Sequence, residues 1–197
     1  MSAPQSYYVP VDAGEAEFTE KRSRFLGHVR RVETEAEARA FLDEMRKKYY
    51  DARHNCWCYV LHEGGVVRYG DDGEPQGTAG QPMLNVFQRE GVENVVCVVT
   101  RYFGGVLLGA GGLTRAYARS AKDALDAAGK ARMRLWSAVT VDCPYPMLER
   151  LKLLAAAHGG TVEGTDFGAA VSIRILLPQE NAAGFDAALT ELSAGTI

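Results

Sequence analysis

Two glycine-rich segments contain the side chains best suited to chemistry. The first, loop one (residues 70–80), reads GDDGEPQGTAG and places three carboxylates within four positions. Carboxylates grouped in this way can bind a divalent cation through hard oxygen ligands or act as acid–base groups. The same run carries ordinary turn signals and does not match the EF-hand pattern, so we predict no metal site here. The catalytic candidates, which form no recognisable catalytic set, are His54, Asp71, Asp72 and Glu74.

The second segment, loop two (residues 102–112), precedes a predicted helix. A glycine-rich turn before a helix presents free backbone amides and the positive end of the helix dipole, which together suit phosphate or carboxylate. The spacing matches neither Walker A nor the dinucleotide-binding fingerprint, so no nucleotide is indicated. The alternative is a loop that only permits close packing. The residues predicted to bind an anion or nucleic acid are Arg24, Arg101, Gly104, Gly105, Gly109, Gly112, Thr114, Arg115, Arg119 and Lys122.

Charge is unevenly distributed along the chain, whose net charge is −3. Residues 137–197 carry 3 basic and 7 acidic side chains, whereas residues 101–136 carry seven basic and two acidic ones. Residues 21–31 add five basic side chains and no acid. Arg115, Arg119 and Lys122 recur at helical spacing and so share one face. This asymmetry is compatible with a polyanion-binding surface and equally with a solvated basic face.

The four cysteines offer neither a disulfide framework nor a nucleophile. Cys56, Cys58, Cys97 and Cys143 lie in apolar, strand-like contexts, which predicts buried, reduced thiols in a cytoplasmic protein. Cys56 shares a strand face with His54, but side chains two positions apart are about 7 Å from each other, too far for direct activation. The spacing also fits no zinc site. The chain has neither a secretory signal nor a membrane-length apolar run, so we predict no membrane partner.

Hydrophobic spacing predicts two mixed α+β modules. In the first, the predicted strands are 24–32, 54–62, 66–69 and 94–100, and the predicted helices are 35–50, 82–89 and 113–128. In the second, the predicted strands are 139–143, 160–164 and 169–177, and the predicted helices are 146–158 and 179–192. This β-α-β-β-α order lacks the last strand of a split βαβ module, unless Thr196-Ile197 begins one.

The predicted order of strands brings the two loops together. Loop one follows a hairpin strand and loop two follows the central strand, and sites collect in loops at shared strand ends. We therefore predict that Asp71, Asp72 and Glu74 face Arg101 and Arg115. Such contacts would either pair the charges and stiffen both loops, or leave a polarised cleft with an anion pocket at the start of the helix.

Four sequence runs together resemble the YigZ/IMPACT family. They are DDGEPQGTAGQPML at 71–84, VTRYFGGVLLGAGGLTRAY at 99–117, KRSRFLG at 21–27 and RHNCWCYVL at 53–61. The resemblance covers about residues 15–130, and the rest is similar to the second domain of the bacterial members. It implies a two-layer α/β domain of the ribosomal-protein/GHMP-kinase-like fold over residues 1–133. A ferredoxin-like βαββα(β) domain, similar to domain V of elongation factor G, would follow over residues 137–197.

The resemblance implies less about function than about fold. Eukaryotic IMPACT proteins regulate translation by competing for an activator of a starvation-responsive kinase, a pathway that bacteria lack, so that partner does not carry over. Some bacterial members have been labelled peptidases, but no peptidase ligands or triad are present. We expect a non-enzymatic, translation-linked binding or regulatory protein that contacts RNA, the ribosome or a translation factor through the basic glycine-loop surface. It would need no cofactor and show no DNA specificity.

Two alternatives remain open from the sequence. One is a small-molecule enzyme that acts on a phosphorylated or carboxylated substrate at the same glycine loops. The other is a protein–protein adaptor that uses the acidic second module. Tyr102 and Phe103 could stack on bases in the RNA-binding interpretation, although core packing is the favoured interpretation for Phe103.

Overall fold

The structure, a computed structural model, describes residues 6–196 of the chain. These residues divide into two compact units: a first unit, Tyr7–Met133, and a second unit of residues 134–196 with Ser6. The elements of the first unit are β1 (Tyr7–Pro10), β2 (Gly14–Glu20), β3 (Ser23–Arg31), α1 (Glu35–Lys48), β4 (His54–Leu61), β5 (Val66–Gly70), α2 (Gly80–Glu90), β6 (Val95–Tyr102), α3 (Ala110–Ala128) and β7 (Lys130–Met133). Those of the second unit are β8 (Trp136–Cys143), α4 (Leu148–Ala157), β9 (Thr161–Phe167), β10 (Val171–Pro178) and α5 (Gln179–Leu192).

The first unit is built on an antiparallel sheet with the strand order β2-β3-β6-β4-β5. Its central strand, β6, reads VVCVVTRY and is buried along almost its whole length. A continuous β-branched run of this kind suits a strand that is covered on both faces. β1 and β7 pair separately as a two-stranded antiparallel sheet.

Helices cover both faces of this sheet. Apolar side chains of β4 point alternately to the two faces, so both faces have to be covered. Cys56, Cys58 and Val60 pack into the core formed with α2 and α3. Tyr59 and Leu61 point the opposite way and pack with α1. The α+β class predicted from the sequence is confirmed, and α1 adds a layer on the second face of the sheet.

Helix α3 begins three residues earlier than the sequence pattern indicates. Gly109 precedes the helix with a φ of 72°, a left-handed conformation that favours glycine, and the Leu113 amide donates to the Gly109 carbonyl at 2.9 Å. The small residues Ala110, Gly111 and Gly112 therefore form the first turn. Strand β6 likewise extends to Tyr102, so the connection between β6 and α3 is shorter than predicted.

The second unit has an antiparallel sheet with the order β8-β10-β9. Alternate residues of β10, including Ile173 and Ile175, pack with Leu151 of α4 and Phe185 of α5. β8 and β9 run parallel on either side of β10, which is the split βαβ arrangement of ferredoxin-like folds. Within the described residues no fourth strand joins this sheet: Thr196 is not in a strand, and Ile197 lies outside them.

No helix in residues 6–196 combines the length and apolarity that crossing a membrane requires.

Candidate functional site

A buried ion pair joins loop one to the strand that leads into loop two. Arg101 Nη1 donates to Glu74 Oε1 at 2.7 Å, with the two side chains only 6% and 3% exposed. The Tyr117 hydroxyl of α3 donates to the same oxygen at 2.8 Å. Glu74 of loop one is thus tied both to β6 and to the helix that follows loop two. The predicted contact between Glu74 and Arg101 is confirmed.

Loop two is also fixed to the turn between β2 and β3. The buried Ser23 hydroxyl accepts from the Gly104 amide at 3.2 Å and from Arg101 Nη2 at 3.3 Å. A Cβ at Gly104 would lie 2.0 Å from the carbonyl carbon of Arg22, so only glycine fits this approach. Lys21 and Arg22 form the turn with φ values of 45° and 66°. Gly104 therefore has a packing role, which was the alternative left open by the sequence.

The two aspartates of loop one organise the backbone. Asp71 accepts from the Gly77 and Gly80 amides at 2.8 Å and from the Ala79 amide at 3.1 Å, and so caps the start of α2. The Asp72 carboxylate accepts from the Asn55 amide at 2.7 Å. The carboxylate oxygens of Asp71 and Asp72 accept hydrogen bonds from backbone amides, so they are not free to act as a general acid or base.

His54 and Cys56 both contact loop one and not each other. His54 Nδ1 lies 2.9 Å from the Asp72 carbonyl oxygen, and Cys56 Sγ donates to the Asp71 carbonyl at 2.9 Å. Because a carbonyl only accepts, His54 carries its proton on Nδ1 when neutral. Burial raises the pKa of the Cys56 thiol, which disfavours the nucleophilic thiolate. Among residues 6–196, no group of three or more His, Cys, Asp or Glu side chains could hold a metal ion.

A cavity of about 350 Å³, which we call the loop cavity, lies between the two loops. The ion-paired Glu74 and Arg101 line it together with the start of α3. Its remaining wall is largely apolar, with Arg53 and His54 contributing polar groups. The full lining is Arg53, His54, Glu74, Pro75, Arg101, Phe103, Leu107, Leu108, Gly109, Ala110 and Leu113.

Arg115 does not join this cluster, so the prediction that it faces the loop-one carboxylates is wrong. Because α3 starts at Ala110, Thr114 and Arg115 lie in its second turn rather than its first. Arg115 instead lines a separate cavity of about 260 Å³, the basic cavity. The lining of the basic cavity is Phe18, Glu20, Lys21, Leu108, Gly112, Arg115, Ala116 and Arg119. Gly105 lies in loop two, and Gly112 is in the first turn of α3.

Besides Arg101, three more of the predicted basic contacts already have acidic partners. Arg24 donates two hydrogen bonds to Glu17, at 2.5 and 2.9 Å. Arg119 lies 3.3 Å from Asp123, and its guanidinium lies 4.2 Å from the Phe18 ring centroid. Lys122 lies 2.5 Å from Asp126 and 3.5 Å from Glu90. The two i,i+4 partners on α3 were readable from the sequence.

Other exposed side chains were not singled out from the sequence. Lys21, Arg22 and Arg53 have no acidic partner within the part of the chain that the structure describes, and neither does Arg115. The sequence signal for Lys21 and Arg22 was the basic run at 21–31. The structure places both residues at the turn between β2 and β3. The core-packing interpretation of Phe103 is wrong, because the residue is 47% exposed and its ring lies beside the Arg101 guanidinium, beyond the end of β6.

Comparison with known protein families agrees with this architecture. Residues 21–125 match the Impact N-terminal domain, and residues 141–196 match a domain of unknown function (DUF1949). The chain belongs to the IMPACT family. The IMPACT family member YvyE of Bacillus subtilis is 35% identical over 191 residues, which cover 96% of this chain and 88% of YvyE. The family resemblance predicted from the four sequence runs is confirmed.

Two further relatives match along most of their length. The IMPACT family member YigZ of Escherichia coli is 35% identical over 180 residues, which cover 90% of this chain and 88% of YigZ. A crystal structure described as that of an hypothetical protein is 33% identical, with a TM-score of 0.63 and coverage of 98% of this chain and 95% of the other. The fold is therefore shared with this solved structure.

Proposed function

We propose that this IMPACT-family protein is a non-enzymatic, translation-linked binding protein of the cytoplasm that contacts RNA, the ribosome or a translation factor. The link to translation rests on the family, whose eukaryotic members regulate translation. The contact is proposed for the first unit, because residues 137–197 carry 3 basic against 7 acidic side chains and would repel phosphate.

The observation that carries the proposal is the excess of unpaired cations around the basic cavity. Lys21, Arg115 and Arg119 line it against one carboxylate, Glu20. Lys21, Arg115 and the neighbouring Arg22 have no acidic partner among residues 6–196. Unpaired surface cations can each neutralise a phosphate without first giving up an acidic partner, whereas Arg24, Arg119 and Lys122 must exchange one.

Loop two adds an aromatic surface next to these cations. Phe103 is half-exposed, and Gly104, the next residue, packs directly against Arg22. A cationic turn beside an accessible aromatic ring fits a single-stranded RNA, whose phosphates would meet the cations while a base stacks on the ring. Such binding is salt-sensitive and largely independent of sequence.

The test is fluorescence anisotropy of a labelled oligouridylate at a series of salt concentrations between about 50 and 200 mM. The variant combines Lys21→Asn, Arg22→Asn and Arg115→Gln, because asparagine tolerates the positive φ at the turn. We expect weaker binding, with the slope of log K against log salt smaller by about 2, at about 0.7 for each lost single-strand phosphate contact.

The matched control removes the same number of charges from the second unit, through Arg150→Gln, Lys152→Gln and Arg174→Gln. It should bind as the wild type does. Absence of salt-dependent binding by the wild-type protein, or equal losses in the two triple variants, would contradict the RNA contact. A pull-down from cell extract with and without RNase then separates RNA-dependent partners from a directly bound translation factor.

A further inference from the structure

We propose that the loop cavity binds a small ligand in which a carboxylate or phosphate monoester is carried on an apolar group. This site shares Leu108 with the basic cavity and Phe103 with the proposed RNA surface, but none of the cations Lys21, Arg22 and Arg115 lines it. It would give the protein a small-molecule partner in addition to a macromolecular one.

The electrostatics of the cavity favour an anion. Gly109, Ala110 and Leu113 line the cavity at the start of the 19-residue helix α3, which has no side-chain cap and no acidic residue in its first turn. The first amides of such a helix lack intrahelical acceptors and carry the positive end of the dipole. Arg53 adds an exposed guanidinium without an acidic partner among the described residues.

A second, independent feature is the unsatisfied donor capacity of Arg101. The side chain is 94% buried, being 6% exposed, and it lines the cavity. Its two terminal nitrogens donate to Glu74 and Ser23, whereas its Nε has no hydrogen-bond partner among residues 6–196. An arginine has five N–H donors, and these two bonds use one hydrogen on each terminal nitrogen. The second hydrogen on each terminal nitrogen is left for a ligand oxygen, whereas Nε is enclosed by protein.

The charge balance remains positive after the buried ion pair is counted. Glu74 offsets Arg101, which leaves Arg53 and the α3 amides to face the ligand. Asp71 and Asp72 do not counter this field from the cavity wall, since neither lines it and both accept from backbone amides. The site therefore suits an anionic ligand, either the single charge of a carboxylate or the charge of about −1.5 to −2 on a phosphate monoester at neutral pH.

The rest of the cavity calls for an apolar group. Phe103, Leu108, Leu113 and Pro75 line it, and Leu107 lies at its edge with 82% of its surface exposed. Covering such side chains with an apolar ligand group removes their surface from water, which favours binding. A volume of about 350 Å³ lies near the lower end of the range for small-molecule sites, roughly 300–1,000 Å³. The ligand is accordingly small, with one aromatic or branched aliphatic group.

NMR titration of the full-length, ¹⁵N-labelled protein tests this directly. The probes are phenylacetate and phenyl phosphate, which present the two anions on the same ring, together with phenylacetamide and inorganic phosphate. We expect saturable shifts of the amides of residues 73, 74, 76 and 107–113 with at least one ring-bearing anion. Phenylacetamide and inorganic phosphate should each bind about tenfold more weakly, because each lacks one of the two recognised features.

Two single variants complete the test, both at exposed positions so that the fold is preserved. Leu107→Ser and Arg53→Gln should each weaken binding of the ring-bearing anion by about five- to tenfold, or about 1–1.4 kcal/mol. The matched controls are Leu153→Ser, at a leucine of α4 that is 72% exposed, and Arg150→Gln.

The comparison between probes decides the outcome. A stronger response to phenylacetate identifies the carboxylate as the recognised anion, and a stronger response to phenyl phosphate identifies the phosphate. No saturable shift with either anion up to about 10 mM, where even a 1 mM site would be largely filled, overturns the proposal. Equal binding of phenylacetamide, or equal losses in the variants and their controls, overturns it as well.

Discussion

The Glu74–Arg101 pair shows how one buried contact orders two distant loops. Arg101 Nη1 and the Tyr117 hydroxyl converge on Glu74 Oε1, and both donors come from parts of the chain far from loop one. Burying a charged pair is costly, and removing one member leaves the other charge in a medium of low dielectric constant. The pair therefore specifies the loop arrangement more than it adds to the net free energy of unfolding.

Replacing Arg101 alone should be strongly destabilising. We expect Arg101→Met to lower the free energy of unfolding by about 3–5 kcal/mol, because the Glu74 carboxylate is left buried without its cation. Adding Glu74→Leu should recover most of this loss, since an apolar pair of similar volume removes the unpaired charge. Urea denaturation of the single and double variants measures both values.

The control is Arg39→Met, which breaks an exposed i,i+4 pair with Glu35 on α1 and should cost less than about 0.5 kcal/mol. If Arg101→Met lost no more than this control, or if the double variant were as unstable as the single one, the buried pair would not hold the loops together.

At the scale of elements, loop one functions as the cap of helix α2. The helix begins at Gly80, and no side chain at the preceding residue caps it. Asp71 supplies the missing acceptor from nine positions upstream and also binds the Gly77 amide, so the loop folds back on itself. A carboxylate near a helix start is favourable for the helix dipole as well.

The two neighbouring aspartates should therefore contribute unequally. We expect Asp71→Ala to lower the free energy of unfolding by about 2–4 kcal/mol, because three amides lose a charged acceptor. Asp72→Gly should cost only about 1 kcal/mol, since one amide is affected and glycine adopts the φ of 42° at this position without strain. Thermal and urea denaturation give the comparison, and equal losses would contradict the capping role.

At the scale of the whole molecule, the described cysteines are all buried free thiols. Cys56, Cys58 and Cys97 lie in the core of the first unit and Cys143 lies in that of the second. Burial raises the pKa of Cys56, Cys58 and Cys143. Neither thiolate chemistry nor disulfide formation is therefore favoured in the folded protein.

Thiol reactivity should accordingly report unfolding in both units. We expect labelling by a disulfide reagent at neutral pH to be at least about a thousandfold slower than in denaturant, given an opening free energy of about 5 kcal/mol. The protein in guanidinium chloride is the control and should show four reactive thiols. Rapid labelling of any cysteine under native conditions would show that its surroundings open locally.

The cations of α3 illustrate what could be read from sequence and what could not. The spacing of Arg115, Arg119 and Lys122 predicted one face of a helix, and the i,i+4 acids Asp123 and Asp126 were visible in the same stretch. Lys122 has a second acidic partner that the spacing did not indicate, since Glu90 of α2 lies 3.5 Å from it. Packing between two helices sets that contact, and the periodicity of one helix carries no information about it.

The division of the chain was predicted from the restart of the hydrophobic pattern after Met133. The bounds 1–133 and 137–197 stay predictions, since they extend beyond the described residues at both ends. The start of α3 was misplaced because Gly111 and Gly112 have weak helix propensity, which hid the first turn of the helix from the sequence pattern. The positive φ of Gly109 places the helix start directly after that residue.

The sequence by itself determined the family, the α+β class and the positions of most strands and helices, because these depend on local periodicity and on long ordered motifs. The tertiary structure alone decided which of the motif residues work together. Glu74 meets Arg101 and Tyr117 across separations of 27 and 43 residues, and Arg115 is directed to a different cavity. Such contacts follow from how the sheet and helices pack, since side-chain partners far apart in sequence are chosen only when the core closes.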